Sequence, residues 1–220
     1  MDATKLLVCS DLHASEDALK GLEKAARTEE FDAVVICGDF TTYGSLDYVR
    51  KALKIFETKV LAIPGNCDTR PTVDLLEAAG ASIHGRRQEL DGTAFFGFGG
   101  AVPSPHNMPF EVEEADIVAG LNGACAERGV MVTHMPARGK NDLTRHGKHA
   151  GSEGIRRVAE ECRPVLALSG HFHEARGVVE EGGTVFVNPG AARDGFYATV
   201  VLGRKVETEL RDLPGFEGGR

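Results

Sequence analysis

Seven residues of three types recur where the chain turns after an apolar run. Asp11 and His13 stand in S-D-L-H, Asp39 in G-D, Asn66 in G-N-C-D, His134 in T-H, and His171 and His173 in G-H-F-H. Imidazole together with carboxylate suits borderline divalent ions such as Mn²⁺, Fe²⁺, Zn²⁺, Co²⁺ or Ni²⁺, whereas an oxygen-only set favours Mg²⁺ or Ca²⁺. These donors are too many for one tetrahedral ion but fit two ions that share a carboxylate. Two ions roughly 3.5–4 Å apart can clamp a phosphoryl group and activate a water for in-line attack. The D-x-H and H-x-H spacings keep both side chains within reach of one cluster. Gly38, Gly65 and Gly170 directly precede ligands, where close backbone approach is needed.

Each residue alone has a plainer reading. Asp11 or Asp39 could cap a helix, Asn66 could form a turn, and a lone His134 could be a satisfied structural histidine. Their recurrence at successive turns decides for metal binding.

Positioning such a set needs a scaffold that delivers chain ends to one edge, and the sequence carries one. Apolar runs occur at 6–10, 33–38, 60–65, 94–100, 130–134, 165–170, 184–190 and 197–202. Each is strand-like in length, most end at Gly or Ser, and their unbroken apolar character implies cover on both faces. Between them, 15–30, 45–57, 72–79, 111–127 and 152–162 read as amphipathic helices. The pattern is βαβαβα followed by a strand-richer half with an antiparallel tail, a layered α/β sandwich around a mixed sheet. Ligand sites in such folds lie outside the carboxyl ends of the strands, where these seven residues fall.

The ordered set Asp11–Leu12–His13, Gly38–Asp39, Gly65–Asn66, His134 and Gly170–His171–Phe172–His173 resembles the calcineurin-like metallophosphoesterase superfamily. Asn188–Pro189–Gly190 is similar as well, so the resemblance runs from Asp11 to Gly190. It implies a four-layer α/β/β/α sandwich with mixed sheets. It further implies that Asp39 bridges two ions, one held by Asp11, His13 and His173, the other by Asn66, His134 and His171. Asp39, Asn66 and His134 then count as catalytic, with a metal-bridging hydroxide as nucleophile and no covalent phosphoenzyme. Mn²⁺ is the first expectation, ahead of Fe, Zn, Ni, Co or Mg.

Cys67 is a departure. Many members of the superfamily read G-N-H-[DE] there, and G-N-C-D resembles its small bacterial and archaeal phosphodiesterase branch. A thiol is a poor substitute for an imidazolium facing an oxyanion. Either good leaving groups are required or another residue supplies the proton. Candidates for substrate contact besides Cys67 are His106 and Asn107 in 101–110, and Arg145, Lys148 and His149 in the basic segment 135–151. The second segment, with Arg138, Lys140 and His146, is expected to be a lid or phosphate clamp. Cys9 and Cys37 read as core, His84 as structural or exposed after an apparent ASI strand, and Asn188 as a support for neighbouring loops.

The 220 residues fit one domain, taken as 1–210, with 211–220 a frayed tail. The 33 acidic against 25 basic residues give a charge of −8, which disfavours a nucleic-acid polymer as partner and favours a small phosphate ester. No signal-like N-terminus and no run of about 18 apolar residues are seen, so a cytoplasmic protein without membrane contact is expected. The five scattered cysteines predict neither a disulfide framework nor a zinc site. Homo-oligomers are common among superfamily members of this size, and no feature decides assembly here. A phosphodiesterase acting on diesters, monoesters or small nucleotides leads. An interaction scaffold, as in the retromer subunit of this fold, and a DNA nuclease follow it. Complete ligands count against the scaffold, and acidic charge against the nuclease.

Overall fold

The computed structural model describes residues 3–216. Its first half runs β1 (Thr4–Cys9), α1 (Glu16–Thr28), β2 (Ala33–Ile36), α2 (Leu46–Lys54), β3 (Lys59–Ala62) and α3 (Pro71–Ala78). The middle of the chain adds β4 (Arg86–Leu90), β5 (Thr93–Phe98), α4 (Glu114–Ala124), β6 (Val130–Thr133), α5 (Glu153–Cys162) and β7 (Leu166–Leu168). Four strands finish it: β8 (Gly177–Glu181), β9 (Thr184–Asn188), β10 (Phe196–Leu202) and β11 (Val206–Asp212). Serine side chains cap three helices: Ser15 Oγ accepts from Ala18 N–H, Ser45 from Asp47 and Ser152 from Ile155.

The strands form two mixed sheets, ordered β11-β10-β1-β2-β3 and β4-β5-β6-β7-β9-β8. Within them β1, β2 and β3 are parallel, as are β5, β6, β7 and β9, while β10, β4 and β8 pair antiparallel to their neighbours. Alternation along each strand assigns residues to layers. Leu6, Val8, Val35 and Leu61 meet Phe95, Val132, Leu168 and Val187 in the core between the sheets. Leu7, Cys9, Val34 and Ile36 turn the other way, onto Leu19 and Leu22 of α1 and Val49 of α2. Phe96, Met131 and Ala167 do the same beneath Leu121 of α4 and Ile155 of α5. The result is the expected four-layer α/β/β/α sandwich. Because both faces of the central strands are covered, their apolar runs do not alternate with polar residues.

Several expectations are corrected. β4, β8 and β11 are polar strands that apolar runs did not reveal. The ASI segment makes only isolated bridges, Ala62 with Ser82 and His84 with Gly97. Residues 211–216 are not frayed: β11 continues to Asp212, and Leu213 is buried, its N–H donating to Gly195 O at 2.7 Å. The rest of the expected tail, 217–220, lies outside the described residues. Cys125 and Cys162 form a disulfide joining the carboxyl ends of α4 and α5, although no close CxxC spacing announced it. Helix packing, which spacing does not show, brings them together. No helix among the described residues is long and apolar enough to cross a membrane.

Candidate metal centre

The turns after β1 and β2 are laced together by backbone. Asp11, His13 and Ala14 N–H groups donate to the carbonyls of Gly38, Asp39 and Phe40. Four of the predicted ligands, Asp11, His13, Asp39 and His171, adopt left-handed backbone at φ 56, 47, 52 and 69. Such conformations are costly for non-glycine residues and persist where the surroundings over-determine them, as at functional sites. Glycine is required beside them. A Cβ on Gly65 would lie 2.0 Å from Asp39 Oδ1, and one on Gly170 would lie 2.5 Å from Asp11 Oδ2.

All seven predicted donors converge. His173 Nε2 lies 3.2 Å from Asp11 Oδ1 and 3.4 Å from His13 Nε2. His13 Nε2 is also 3.7 Å from Asp39 Oδ2. On the other side of Asp39, His134 Nε2 is 3.4 Å from Asp39 Oδ2 and 2.9 Å from Asn66 Oδ1. His171 Nδ1 is 3.1 Å from the same Asn66 oxygen. Asp39 stands in contact with donors on both sides, and the two sides also meet directly, since Asp11, Asp39 and His134 offer donor atoms within 4.8 Å of one another.

The donor chemistry fits two cations. The Nε2 atoms of His13 and His173 face each other and a carboxylate, an arrangement that a cation would reconcile. For one imidazole the outer nitrogen fixes the tautomer. His134 Nδ1–H donates to Cys37 O at 2.8 Å, which leaves Nε2 free for metal. His13 Nδ1 lies 2.8 Å from the Thr42 hydroxyl. Asp194 Oδ2 lies 3.9 Å behind His173 Nδ1. His171 alone presents Nδ1, and its own N–H donates to Asp11 Oδ2 at 3.1 Å.

The electrostatics follow from burial and mutual charge. Burial opposes ionisation of Asp11, but the His173 hydrogen bond and the charges of His134 and His173 outweigh it and hold the carboxyl well below its usual range. Burial likewise opposes Asp39, and His134 overcomes it. Burial also works against a charged His134, yet Asp39 and Asp11 carry its pKa up to about 9. Burial and the neighbouring His134 charge push His171 down to about 4.

Residues that the sequence left unassigned complete the site. Asp68, fully buried, accepts N–H bonds from Gly65, Phe40 and Thr41 at 2.9, 3.2 and 2.9 Å, tying the Asn66 turn to the Asp39 turn. Burial and the Asp39 charge raise its pKa to about 6. Arg193 donates its backbone N–H to Asp11 O at 3.1 Å, and its exposed guanidinium helps lower the His13 pKa behind burial. Asn188 supports the loops as expected, its Nδ2 donating to Phe172 O at 2.9 Å. Thr42 and Arg193 belong to no motif, so position in the fold alone reveals them, whereas Asp68 stands in the G-N-C-D motif without a role assigned from sequence.

The substrate candidates divide. Cys67 is buried at the centre, its Sγ within 4.8 Å of donor atoms of His13 and Asp39, and its N–H donates to Asp39 Oδ1 at 2.8 Å. His106 and Asn107 are exposed on the loop after β5. The 135–151 segment is not structureless. Asp142 accepts from Gly139 and Gly151 N–H, both at 2.9 Å, and His149 Nδ1–H donates to it at 2.6 Å. Lys140 is buried against Glu181, and Arg138 pairs with Glu153. Arg145 leans on Glu174, next to His173, through a 3.1 Å backbone N–H bond, so the segment docks beside the centre with most of its charge already paired. His84 is structural, its Nδ1 accepting from Gly99 N–H at 2.9 Å. A cavity of about 600 Å³ between 26–32 and 55–58 lies at the opposite, amino ends of β2 and β3 and contains none of these residues.

With fold and site in view, the class of protein follows. A model of the calcineurin-like phosphoesterase superfamily domain matches residues 4–203, and the chain belongs to that superfamily. An uncharacterised protein of Methanocaldococcus jannaschii is 30% identical over 96% of this chain and 98% of its own length. The fold is shared with a Thermus thermophilus protein, at TM-score 0.71 and 17% identity over 97% of this chain and all of that one. It is also shared with a zebrafish (Danio rerio) protein, at TM-score 0.62 and 14% identity over 96% of both chains.

Proposed function

We propose that the protein is a two-metal phosphodiesterase for small phosphate esters. The observation that carries this reading is the convergence of seven donors in two groups on the shared carboxylate of Asp39. When bound, two divalent ions lower the pKa of a water and neutralise charge developing on phosphoryl oxygens. The protein's own part is to hold Asp39 between the groups, through Cys67 N–H and the Asp68-tied turn. The zebrafish relative in fold is described as a dimetal phosphatase, and another, from an archaeon, as a phosphodiesterase. Both descriptions agree with the reading. Preference for diesters or small nucleotides is expected from the small chain and its open site. Cys67 adds a dependence on good leaving groups, because a thiol gives little help to a poor one, and Mn²⁺ is the ion expected to support most activity.

The test is hydrolysis of bis-p-nitrophenyl phosphate by chelator-stripped protein titrated with Mn²⁺, beside Asp39→Asn, with bound metal measured on both. Metal-dependent turnover that falls by at least about a thousandfold in Asp39→Asn is expected. Full activity in that variant, or turnover without metal, would reject the two-metal reading.

A further inference from the structure

Tyr43 is a large side chain that packing does not explain. It follows the β2 turn, is 58% exposed, and holds left-handed backbone at φ 58, where a bulky residue is strained. Its position is nonetheless fixed. The Tyr43 N–H donates to Cys67 O at 3.0 Å. The preceding turn is pinned by Thr41, whose hydroxyl donates to Asp68 Oδ1 at 3.1 Å. Thr42 touches His13.

The ring reaches away from that turn. Its hydroxyl lies 3.2 Å from Met108 Sδ, on the loop after β5. That loop is itself anchored to the centre, since Phe110 N–H donates to Asn66 O at 3.1 Å and the Arg70 guanidinium stacks 5.2 Å over the Phe110 ring. Tyr43 therefore spans from the His13 side to the Asn66 side, beside Cys67. An exposed phenol face and a half-buried thioether beside the proposed phosphoryl position match the flat π-face of an aromatic ring.

We infer that Tyr43 and Met108 form a subsite that takes the base of a nucleoside phosphate ester while its phosphoryl group sits at the metal centre. The inference deepens the phosphodiesterase reading and rests on it for the phosphoryl position. Stacking of a base on an aromatic side chain is sequence-tolerant, so purine and pyrimidine nucleotides both enter.

The experiment compares binding of adenosine 5′-monophosphate and of methyl phosphate to Mn²⁺-loaded protein by calorimetry, in wild type, Tyr43→Ala and Tyr43→Phe. Wild type binds the nucleotide about tenfold or more tightly than methyl phosphate. Tyr43→Ala loses most of that gap with methyl phosphate affinity unchanged, and Tyr43→Phe retains it. Equal affinity for the two ligands in wild type, or an unchanged gap in Tyr43→Ala, overturns the inference. Thermal melts of the variants exclude misfolding as the cause. The outcomes separate from those of the hydrolysis assay: a nucleotide gap that depends on Tyr43 in a protein without turnover keeps the subsite and rejects the enzyme.

Discussion

His134 links metal uptake to pH. In the metal-free protein the charges of Asp39 and Asp11 keep it protonated up to about pH 9 against the pull of burial, yet metal ligation needs its Nε2 lone pair. Loading must therefore expel that proton. Affinity at the Asn66–His134–His171 position should rise roughly tenfold per pH unit up to about pH 9 and level off above it. Calorimetric titration in buffers of differing ionisation heat should register the proton released. A flat affinity between pH 6 and 8 would remove His134 from the ligand set. Arg193 is the second consequence at this scale. Its guanidinium charge acts on His13, and Asp194 lies 3.7 Å from it as its ion-pair partner. Arg193→Ala should raise KM for a diester about tenfold with little loss of kcat, and unaltered steady-state kinetics would leave it a surface residue. The candidate ligands were legible from sequence because acid, amide and imidazole at successive turn positions have few other joint uses. Thr42 and Arg193 were not, because a hydroxyl and a surface cation acquire meaning only from what the fold sets beside them, and Asp68, although it stands in G-N-C-D, shows its part only through the N–H groups it accepts from.

At the scale of elements, the polar edges of the sheets are the part that the sequence conceals. β4 reads RRQEL, β8 GVVEE and β11 VETELRD, and each sits at the rim of its sheet with one neighbour. Charged edge strands discourage pairing with other chains, so the composition that suits them is the composition that hides them from an apolar-run reading. The central strands were legible for the opposite reason, being apolar on both faces. His84 fastens one of these junctions. It follows the bridge at Ser82, accepts from Gly99 N–H, and stacks on Phe98 at 4.2 Å between centroids. Burial, with help from Arg86, pushes its pKa down to about 4. The folded protein thus holds His84 neutral while the unfolded chain protonates it near its ordinary value of 6.5. The unfolded state binds the extra proton, so this contribution is intact above about pH 6.5 and is lost as pH falls towards about 4. The loss amounts to about 3 kcal/mol at most. His84→Asn, which keeps an acceptor for Gly99, should lose less stability than wild type between pH 7 and 5 in urea unfolding. Parallel losses in the two proteins would contradict the neutral, buried state.

For the whole molecule, one covalent link crosses the outer helical layer of the second sheet. The Cys125–Cys162 disulfide closes a loop of sequence separation 37 and ties the ends of α4 and α5. Such closure removes conformational freedom from the unfolded chain and stabilises the fold by about 3–4 kcal/mol. For a chain of this length that corresponds to about 10 °C in unfolding temperature. The cytoplasmic location expected from the sequence stands against this bond, since disulfides are rare in reducing compartments. The other three cysteines, Cys9, Cys37 and Cys67, are buried thiols. Denatured but unreduced protein should therefore titrate three thiols instead of five, and reductant should lower the unfolding temperature of wild type. It should have no such effect on a Cys125→Ala/Cys162→Ala variant, which should already melt at the lower value. Five reactive thiols in protein purified without oxidant would mean that the two cysteines stay reduced in the cell. The packing of α4 on α5, with Leu121, Ile155 and Val158 in one apolar cluster, would then hold the layer by itself. The metal centre lies on loops at the carboxyl ends of the strands, away from that link. Metal content and diester hydrolysis should therefore survive reduction at 25 °C even where thermal stability falls, and their joint loss would show that the outer layer governs the geometry of the site.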